Sequence, residues 1–198
     1  MIANQVELDG DCLILASGFF QDEKLPKYSI LNDSLLSEIQ NNKNITKIRI
    51  IGVKGPSKPF NKFCRKLKRN WRGDLLKRRA RGSNWHAKIA MKVKSDEEKP
   101  VCAIIGSSNL TRPAFGMHPP PLDVTSSWHF NYECDVLFFS NDGFDVVNQN
   151  TIKKVFPTFE NQGIGSIYFP KLPEDCPNEE EQLSALLKDI MDSTIKVK

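Results

Sequence analysis

Apolar and polar residues along the first quarter of the chain follow a strand, helix, strand order. Asp11 to Phe20 contains an apolar run that ends at Gly18 and predicts a buried strand. Leucines and isoleucines at helical spacing predict a helix from about Asn32 to Asn41, and the alternating segment Ile45 to Val53 predicts a second strand. This order and spacing predict a parallel crossover, and therefore an α/β sheet.

The middle of the chain predicts a β-hairpin. Trp85 to Val93 alternates in residue type, and Val101 to Ile105 is a short apolar run bounded by Pro100 and Gly106. A charged segment joins the two predicted strands.

Four polar residues lie at the ends of this hairpin. Side chains two positions apart share a face of a strand, so His86 and Lys88 are expected to project together, as are Ser107 and Asn109 on the neighbouring strand. An imidazole, an ammonium, a hydroxyl and an amide suit a phosphodiester. They supply an acid, base or nucleophile near neutral pH, a cation, and neutral donors for the phosphate oxygens.

The same residues carry a family resemblance. His86-Ala87-Lys88, followed by Gly106-Ser107-Ser108-Asn109, resembles the H-x-K and G-S-x-N signature of the phospholipase D superfamily. The segment Asn131 to Phe138 resembles the N-x-E strand of the bacterial endonucleases in that superfamily, in which the glutamate orients the catalytic histidine. The resemblance implies a catalytic set of His86, Lys88, Ser107, Asn109 and Glu133.

The resemblance also implies a fold and an assembly. The fold is a phospholipase D-like α/β/α sandwich, a mixed β-sheet flanked by helices on both faces, as one domain over residues 1–198. Enzymes of this superfamily place two His-Lys sets around one phosphate, so a chain with one set is expected to form a homodimer with the site on the twofold axis. In the implied mechanism His86 forms a phosphohistidine, and Glu133 fixes its tautomer. No metal or other cofactor is required.

One position departs from the superfamily pattern. The full motif has an aspartate five residues after the lysine, and Val93 stands there in this chain. Because the restriction-endonuclease-like branch often lacks that aspartate, the departure favours a nuclease over a lipid hydrolase. A degenerate, inactive copy is the alternative.

Charge is distributed unevenly along the chain. The net charge is +4, yet residues 54–94 carry fifteen lysines and arginines against one acid, and residues 95–198 carry eight against sixteen. A basic block directly upstream of a phosphodiester motif favours nucleic acid, although a solvated basic face without a partner is the alternative. The predicted nucleic-acid-binding residues are Lys66, Lys68, Arg69, Trp71, Arg72, Lys77, Arg78, Arg79 and Arg81.

Two segments make up this basic block. Pro59 to Arg69 predicts an amphipathic helix with an apolar face and a basic exterior. Asn70 to Asn84 has two glycines and predicts an irregular loop that orders on DNA. Trp71 is interpreted either as a base-stacking residue or as a packing anchor.

The rest of the chain carries weaker signals. Arg112 to Phe130 is proline-rich and predicts a semi-rigid loop near the site, Phe130 to Ser140 predicts a strand, and Asn178 opens a last helix whose apolar stripe is core or dimer contact. His118 and His129 lack motif partners and are expected to be surface or packing histidines.

Composition and hydropathy narrow the choice of metal site, compartment and function class. Five cysteines without a C-x-x-C pair argue against zinc and against a disulfide framework. Neither a signal peptide nor a transmembrane stretch is visible, so a cytoplasmic protein without a membrane partner is expected. A DNA endonuclease, with RNA not excluded, is the leading hypothesis. A non-catalytic nucleic-acid-binding module and a lipid or small phosphodiester hydrolase are the alternatives.

Overall fold

The computed structural model describes residues 10–18, 34–52, 57–82, 88–107, 135–139, 177 and 179–197. These residues form three helices and seven strands. The helices are α1 (Ser34–Asn41), α2 (Lys58–Asn70) and α3 (Glu179–Asp192), and the strands are β1 (Cys12–Ser17), β2 (Lys47–Gly52), β3 (Asp74–Ala80), β4 (Lys88–Lys94), β5 (Lys99–Gly106), β6 (Asp135–Phe139) and β7 (Thr194–Lys196).

The described strands form one mixed sheet in the order β6-β5-β4-β1-β2-β3-β7. β1, β2 and β3 are parallel, as the predicted crossover requires, and the other neighbours are antiparallel. An α/β class is therefore confirmed. We call the two ends of this sheet the Lys88 end, where β1 to β3 finish and β4 begins, and the Lys94 end, where β1 to β3 begin and β4 finishes.

Helices pack on both faces of the sheet. On one, the α1/α2 face, side chains such as Leu15 and Ile48 pack against Ile39, Phe63 and Leu67 of the two helices. The opposite, α3 face contributes a second cluster that includes Ile14, Met91, Ala103, Leu183 and Ile190. Alternate residues of one strand enter different clusters because the strand's side chains alternate in direction. The apolar stripe of α3 is thus core.

The predicted hairpin is confirmed. β4 and β5 pair antiparallel from Lys88 opposite Gly106 to Lys94 opposite Lys99, with a register shift between Lys92 and Val93. Proline lacks a backbone N–H, and Pro100 pairs just beyond this irregularity, where a missing ladder bond is tolerated.

The predicted loop over Asn70 to Asn84 is wrong for most of its length. Asp74–Ala80 is strand β3, which is parallel to β2. Its apolar residues, Leu75 and Leu76, are adjacent and therefore give no alternation in the sequence. β3 begins close to β2: a side chain at Gly73 would lie 2.4 Å from the carbonyl oxygen of Thr46, so only glycine fits there.

Several predicted features lie outside the described residues. These are the proline-rich loop and the part of the predicted strand that precedes Asp135. The residues His86, Asn109, Glu133, His118 and His129 also lie outside the described part of the chain. Among the described helices, none is long and apolar enough to cross a membrane.

Candidate functional site

A row of neighbouring residues crosses the sheet at its Lys88 end. Arg79 pairs with Gly52, and Gly52 pairs with Ser17. The antiparallel register of β1 and β4 brings Ser17 beside Lys88, which pairs with Gly106. Paired residues project to one face, so the Arg79, Ser17 and Lys88 side chains share the α1/α2 face. Three strand spacings, about 14 Å, separate the backbone positions of Arg79 and Lys88.

Two residues of the predicted catalytic set are described, and the hairpin brings both to the Lys88 end. Lys88 is half-buried at the first position of β4, and Ser107 is exposed directly after β5. Gly106 rather than Ser107 lies opposite Lys88, so alternation along β5 directs Ser107 away from the face of the lysine, and the chain bends at this residue. The chain places His86 two residues before Lys88, and Asn109 two residues after Ser107.

Ser17 is a candidate site residue that sequence reasoning missed. It is fully buried, and it ends β1 between Gly52 and Lys88. A hydroxyl beside the ammonium can donate to the same anion or hold the lysine in position. The sequence contained a signal for this residue, because Ser17 lies at the carboxyl end of a predicted parallel strand. Functional groups in open α/β sheets collect at such ends.

Val93 occupies the position of the missing motif aspartate. Its side chain is 2% exposed and packs in the α3-face cluster at the Lys94 end of β4. Five strand residues, about 17 Å, separate Val93 from Lys88, and the two side chains project to opposite faces. A carboxylate at this position would therefore lie in the core rather than beside the lysine.

No protein-family model matches this chain, and no curated protein matches it. The superfamily resemblance consequently depends on the motif residues themselves. Among the described residues, no group of three His, Cys, Asp or Glu side chains is placed to hold a metal ion.

The direction of α2 divides the basic block in two. α2 connects the Lys88 end of β2 to the Lys94 end of β3, so its first turn lies nearer the Lys88 end. Exposed Lys58 and Lys62 occupy the first turns, whereas exposed Arg69 and Arg72 lie at the other end of the sheet. The seven helical steps from Lys62 to Arg69 span about 10 Å of helix axis. Lys62 was predicted to lie on the basic exterior of this helix but not among the nucleic-acid-binding residues, and Lys58 was missed, although a crossover between parallel strands fixes this direction.

Trp71 is a packing anchor, and its predicted role in base stacking is wrong for this structure. The side chain is 5% exposed in the α1/α2-face cluster, and its indole Nε1 donates to the Ile45 carbonyl oxygen at 3.3 Å. Lys68 lies over the ring, with Nζ 5.7 Å from the centroid, and donates to the Gly73 carbonyl. Both side chains therefore stabilise the connection from α2 to β3.

Arg78 is also unavailable to a nucleic acid, contrary to its predicted role. Its side chain is 7% exposed. Nε donates to Thr194 Oγ1 at 2.6 Å, and Nη2 donates to the carbonyl oxygens of Thr194 at 2.7 Å and Met191 at 3.0 Å. The guanidinium thus satisfies the Met191 carbonyl in the last turn of α3 and the Thr194 carbonyl at the start of β7.

Asp11 ties three strands together at the Lys94 end. Its carboxylate accepts hydrogen bonds from the Ser95 amide at 2.8 Å, the Ser95 hydroxyl at 2.6 Å and the Thr46 hydroxyl at 3.2 Å, and Lys47 Nζ lies 3.5 Å away. Burial acts to raise the pKa of this carboxyl, but the hydrogen bonds and the Lys47 charge outweigh it and bring the pKa to about 2. The cluster is structural, because it lies at the end of the sheet away from Lys88.

Asp11→Asn is expected to lower the free energy of unfolding by about 1 kcal/mol at pH 7, a value reduced for the partial exposure of the carboxylate. The pKa of Asp11 is lower in the folded state, so its contribution is complete above about pH 4 and is lost as the pH falls toward 2. Urea unfolding at pH 7 and pH 3 measures this. A destabilisation of equal size at pH 7 and pH 3 would mean that the substitution acts through altered packing or hydrogen bonding and not through the lost charge.

Proposed function

We propose that this chain is a metal-independent phosphodiesterase that acts on nucleic acid, as a DNA endonuclease of the phospholipase D-like type. The observation that carries the proposal is the pairing of the two motif strands, with Lys88 directly opposite Gly106. The H-x-K and G-S-x-N segments are separated in the sequence, but this pairing brings the ends of their strands next to each other. A shared phosphate site requires such an arrangement. The fold proposed with this function is the phospholipase D-like α/β/α sandwich as a single domain.

The proposed reaction has two displacements at phosphorus. In the first, the His86 imidazole attacks the phosphorus, the bond from phosphorus to the leaving oxygen breaks, and His86 of the partner subunit protonates that oxygen. In the second, the same partner histidine takes a proton from water, the hydroxide attacks the phosphorus, and the bond to His86 breaks. Glu133 holds the His86 tautomer in both steps.

Charge on the phosphate oxygens is stabilised by the chain's own cations and donors. The Lys88 ammonium and the Asn109 amide, one set from each subunit, bind the non-bridging oxygens, with the Ser107 hydroxyl as a further donor. Ser17, which is fully buried beside Lys88, is assigned the role of holding the lysine in position. Val93 replaces the motif aspartate at a core position of the Lys94 end, away from Lys88. This replacement therefore gives no reason to expect an inactive site.

Lys88→Ala is expected to reduce plasmid cleavage in excess EDTA by about 10²-fold, because the lysine stabilises charge that develops in the transition state. Lys94→Ala is the matched control, since Lys94 is the last residue of the same strand at the other end of the sheet. Cleavage rates of both variants beside the unmodified protein test the proposal. Equal losses in the two variants, or none in Lys88→Ala, would contradict it.

The Lys88 end is also expected to dominate DNA binding. In a His86→Ala background, Lys62→Gln with Arg79→Gln should weaken binding of a ten-nucleotide DNA about tenfold. It should lower the salt slope by about two, since two phosphate contacts are lost. Arg69→Gln with Arg72→Gln removes two exposed charges at the other end and should leave the slope nearly unchanged. Fluorescence anisotropy across a salt series makes the comparison, and reversed effects would place the substrate elsewhere.

A further inference from the structure

The outer side of α2 carries one continuous row of cations. Its members are exposed and follow each other at steps of four, three and four residues: Lys58, Lys62, Arg65 and Arg69. At about 100° per residue, these positions lie within an arc of about 60°, and the buried apolar residues of the helix lie on the opposite side. Eleven helical steps, about 17 Å of helix axis, separate the first cation from the last. We call this row the α2 stripe.

Acidic residues do not balance the α2 stripe. The sequence of α2 contains no Asp or Glu. Of the described elements that contact α2, α1 has one acid, Glu38, and β3 has one, Asp74. The neighbouring Leu75 packs on the α1/α2 face, so strand alternation directs Asp74 to the α3 face. Among the side chains that the structure describes, no carboxylate lies within salt-bridge distance of the stripe.

The α2 stripe opposes the stability of its own helix. Like charges three or four positions apart repel each other, and Lys58 lies in the first turn, where the helix dipole is positive. Lys68, on another side of the helix, has structural partners in the Trp71 ring and the Gly73 carbonyl. A row of cations that destabilises its helix, without ion-pair partners among the described residues, favours an external polyanion.

The surroundings of the stripe favour the backbone of a nucleic-acid duplex. A helix that binds a membrane surface needs a free apolar face, whereas the apolar face of α2 packs in the core. Single strands are usually held by bases that stack on aromatic side chains, and the stripe contains no aromatic residue. A straight row of cations on a rigid helix instead suits a regular series of phosphates, which neutralise it without base stacking.

We infer that the α2 stripe binds the phosphate backbone of duplex DNA that flanks the cleaved strand. The class of ligand rests on the proposed function. α2 runs from the Lys88 end of the sheet to the Lys94 end, whereas the row from Arg79 to Lys88 runs across the strands. The two directions are therefore roughly at right angles. DNA along the row and DNA along the stripe are separate stretches, of which only the first contains the cleaved phosphate.

Two DNAs distinguish these stretches: a ten-nucleotide strand, and a duplex of about 30 base pairs that carries the same strand as a single-stranded extension. In a His86→Ala background, Arg65→Gln with Arg69→Gln should lower the salt slope for the longer DNA by about two and weaken its binding about tenfold. Binding of the ten-nucleotide strand should change by less than about twofold. Lys188→Gln with Lys196→Gln removes two exposed cations from α3 and β7, and this control should affect neither DNA. Fluorescence anisotropy across a salt series measures all four combinations.

Glutamine is a good helix former, so the double variant of the stripe should fold. If it does not, Arg65→Gln alone should lower the salt slope for the longer DNA by about one. An unchanged slope for the longer DNA would overturn the inference, as would an equal loss for the ten-nucleotide strand. Polyglutamate that displaces the longer DNA as well as unlabelled duplex does would also overturn it, in favour of an acidic protein partner. Absence of cleavage by the unmodified chain would contradict the proposed function and leave this binding result unaffected.

Discussion

His86→Ala is expected to reduce DNA cleavage in excess EDTA by at least about 10³-fold, the largest effect of any single substitution in this chain. The proposed reaction uses this imidazole twice, as nucleophile in one subunit and as proton donor in the other. The substitution therefore removes the imidazole that each of the two displacements requires. The Tm should stay within about 1 °C of that of the unmodified protein, because the expected role is chemical rather than structural.

His129→Ala is the matched control for this prediction. His129 lacks a motif partner and is expected to be a surface or packing histidine, so its replacement should leave the cleavage rate within about twofold. Initial rates on supercoiled plasmid, with both variants at equal concentration, give the comparison. Cleavage retained by His86→Ala would exclude a phosphohistidine mechanism.

Arg78→Met is expected to lower the free energy of unfolding by about 3 kcal/mol, and the Tm by about 9 °C. Methionine keeps much of the side chain's length but cannot donate hydrogen bonds. The carbonyl oxygens of Met191 and Thr194 would then lose their guanidinium partner in a buried position. The end of α3 and strand β7 should loosen together, since Arg78 is their shared contact.

Arg79→Met is the control, because Arg79 is the next residue of β3 and is exposed. Its replacement should change the free energy of unfolding by less than about 0.5 kcal/mol. Urea unfolding of both variants measures the difference. Similar destabilisation in the two would mean that net charge, and not the buried hydrogen bonds of Arg78, accounts for the effect.

Elements with a complete periodic pattern were predictable from the sequence. The apolar face of α2, formed by Phe60, Phe63, Cys64 and Leu67, is buried as its spacing predicts. The parallel crossover and the hairpin follow in the same way, because alternation and turn signals are local properties of the chain. The hairpin alone brings Lys88 and Ser107 to one end of the sheet. Their catalytic roles remain predictions.

Features set by distant contacts were not predictable. The segment that contains Arg78 is an unremarkable run of basic residues, and the hydroxyl that binds its guanidinium is 116 residues further along the chain. β7 has only three residues and exists through pairing with β3. Trp71 becomes a packing residue because its ring meets the start of β2. For Arg78 and Trp71, tertiary contact overrides a local pattern that suggested exposure.

The most direct test of a phosphohistidine nuclease is detection of the covalent intermediate. Internally labelled DNA would be mixed with the protein in excess EDTA, denatured rapidly at alkaline pH to preserve a phosphoramidate bond, and separated on a denaturing gel. A labelled protein band that forms with the unmodified chain and is absent with His86→Ala is the predicted result. Cleaved DNA without any such band, or an equal band in His86→Ala, would contradict the mechanism.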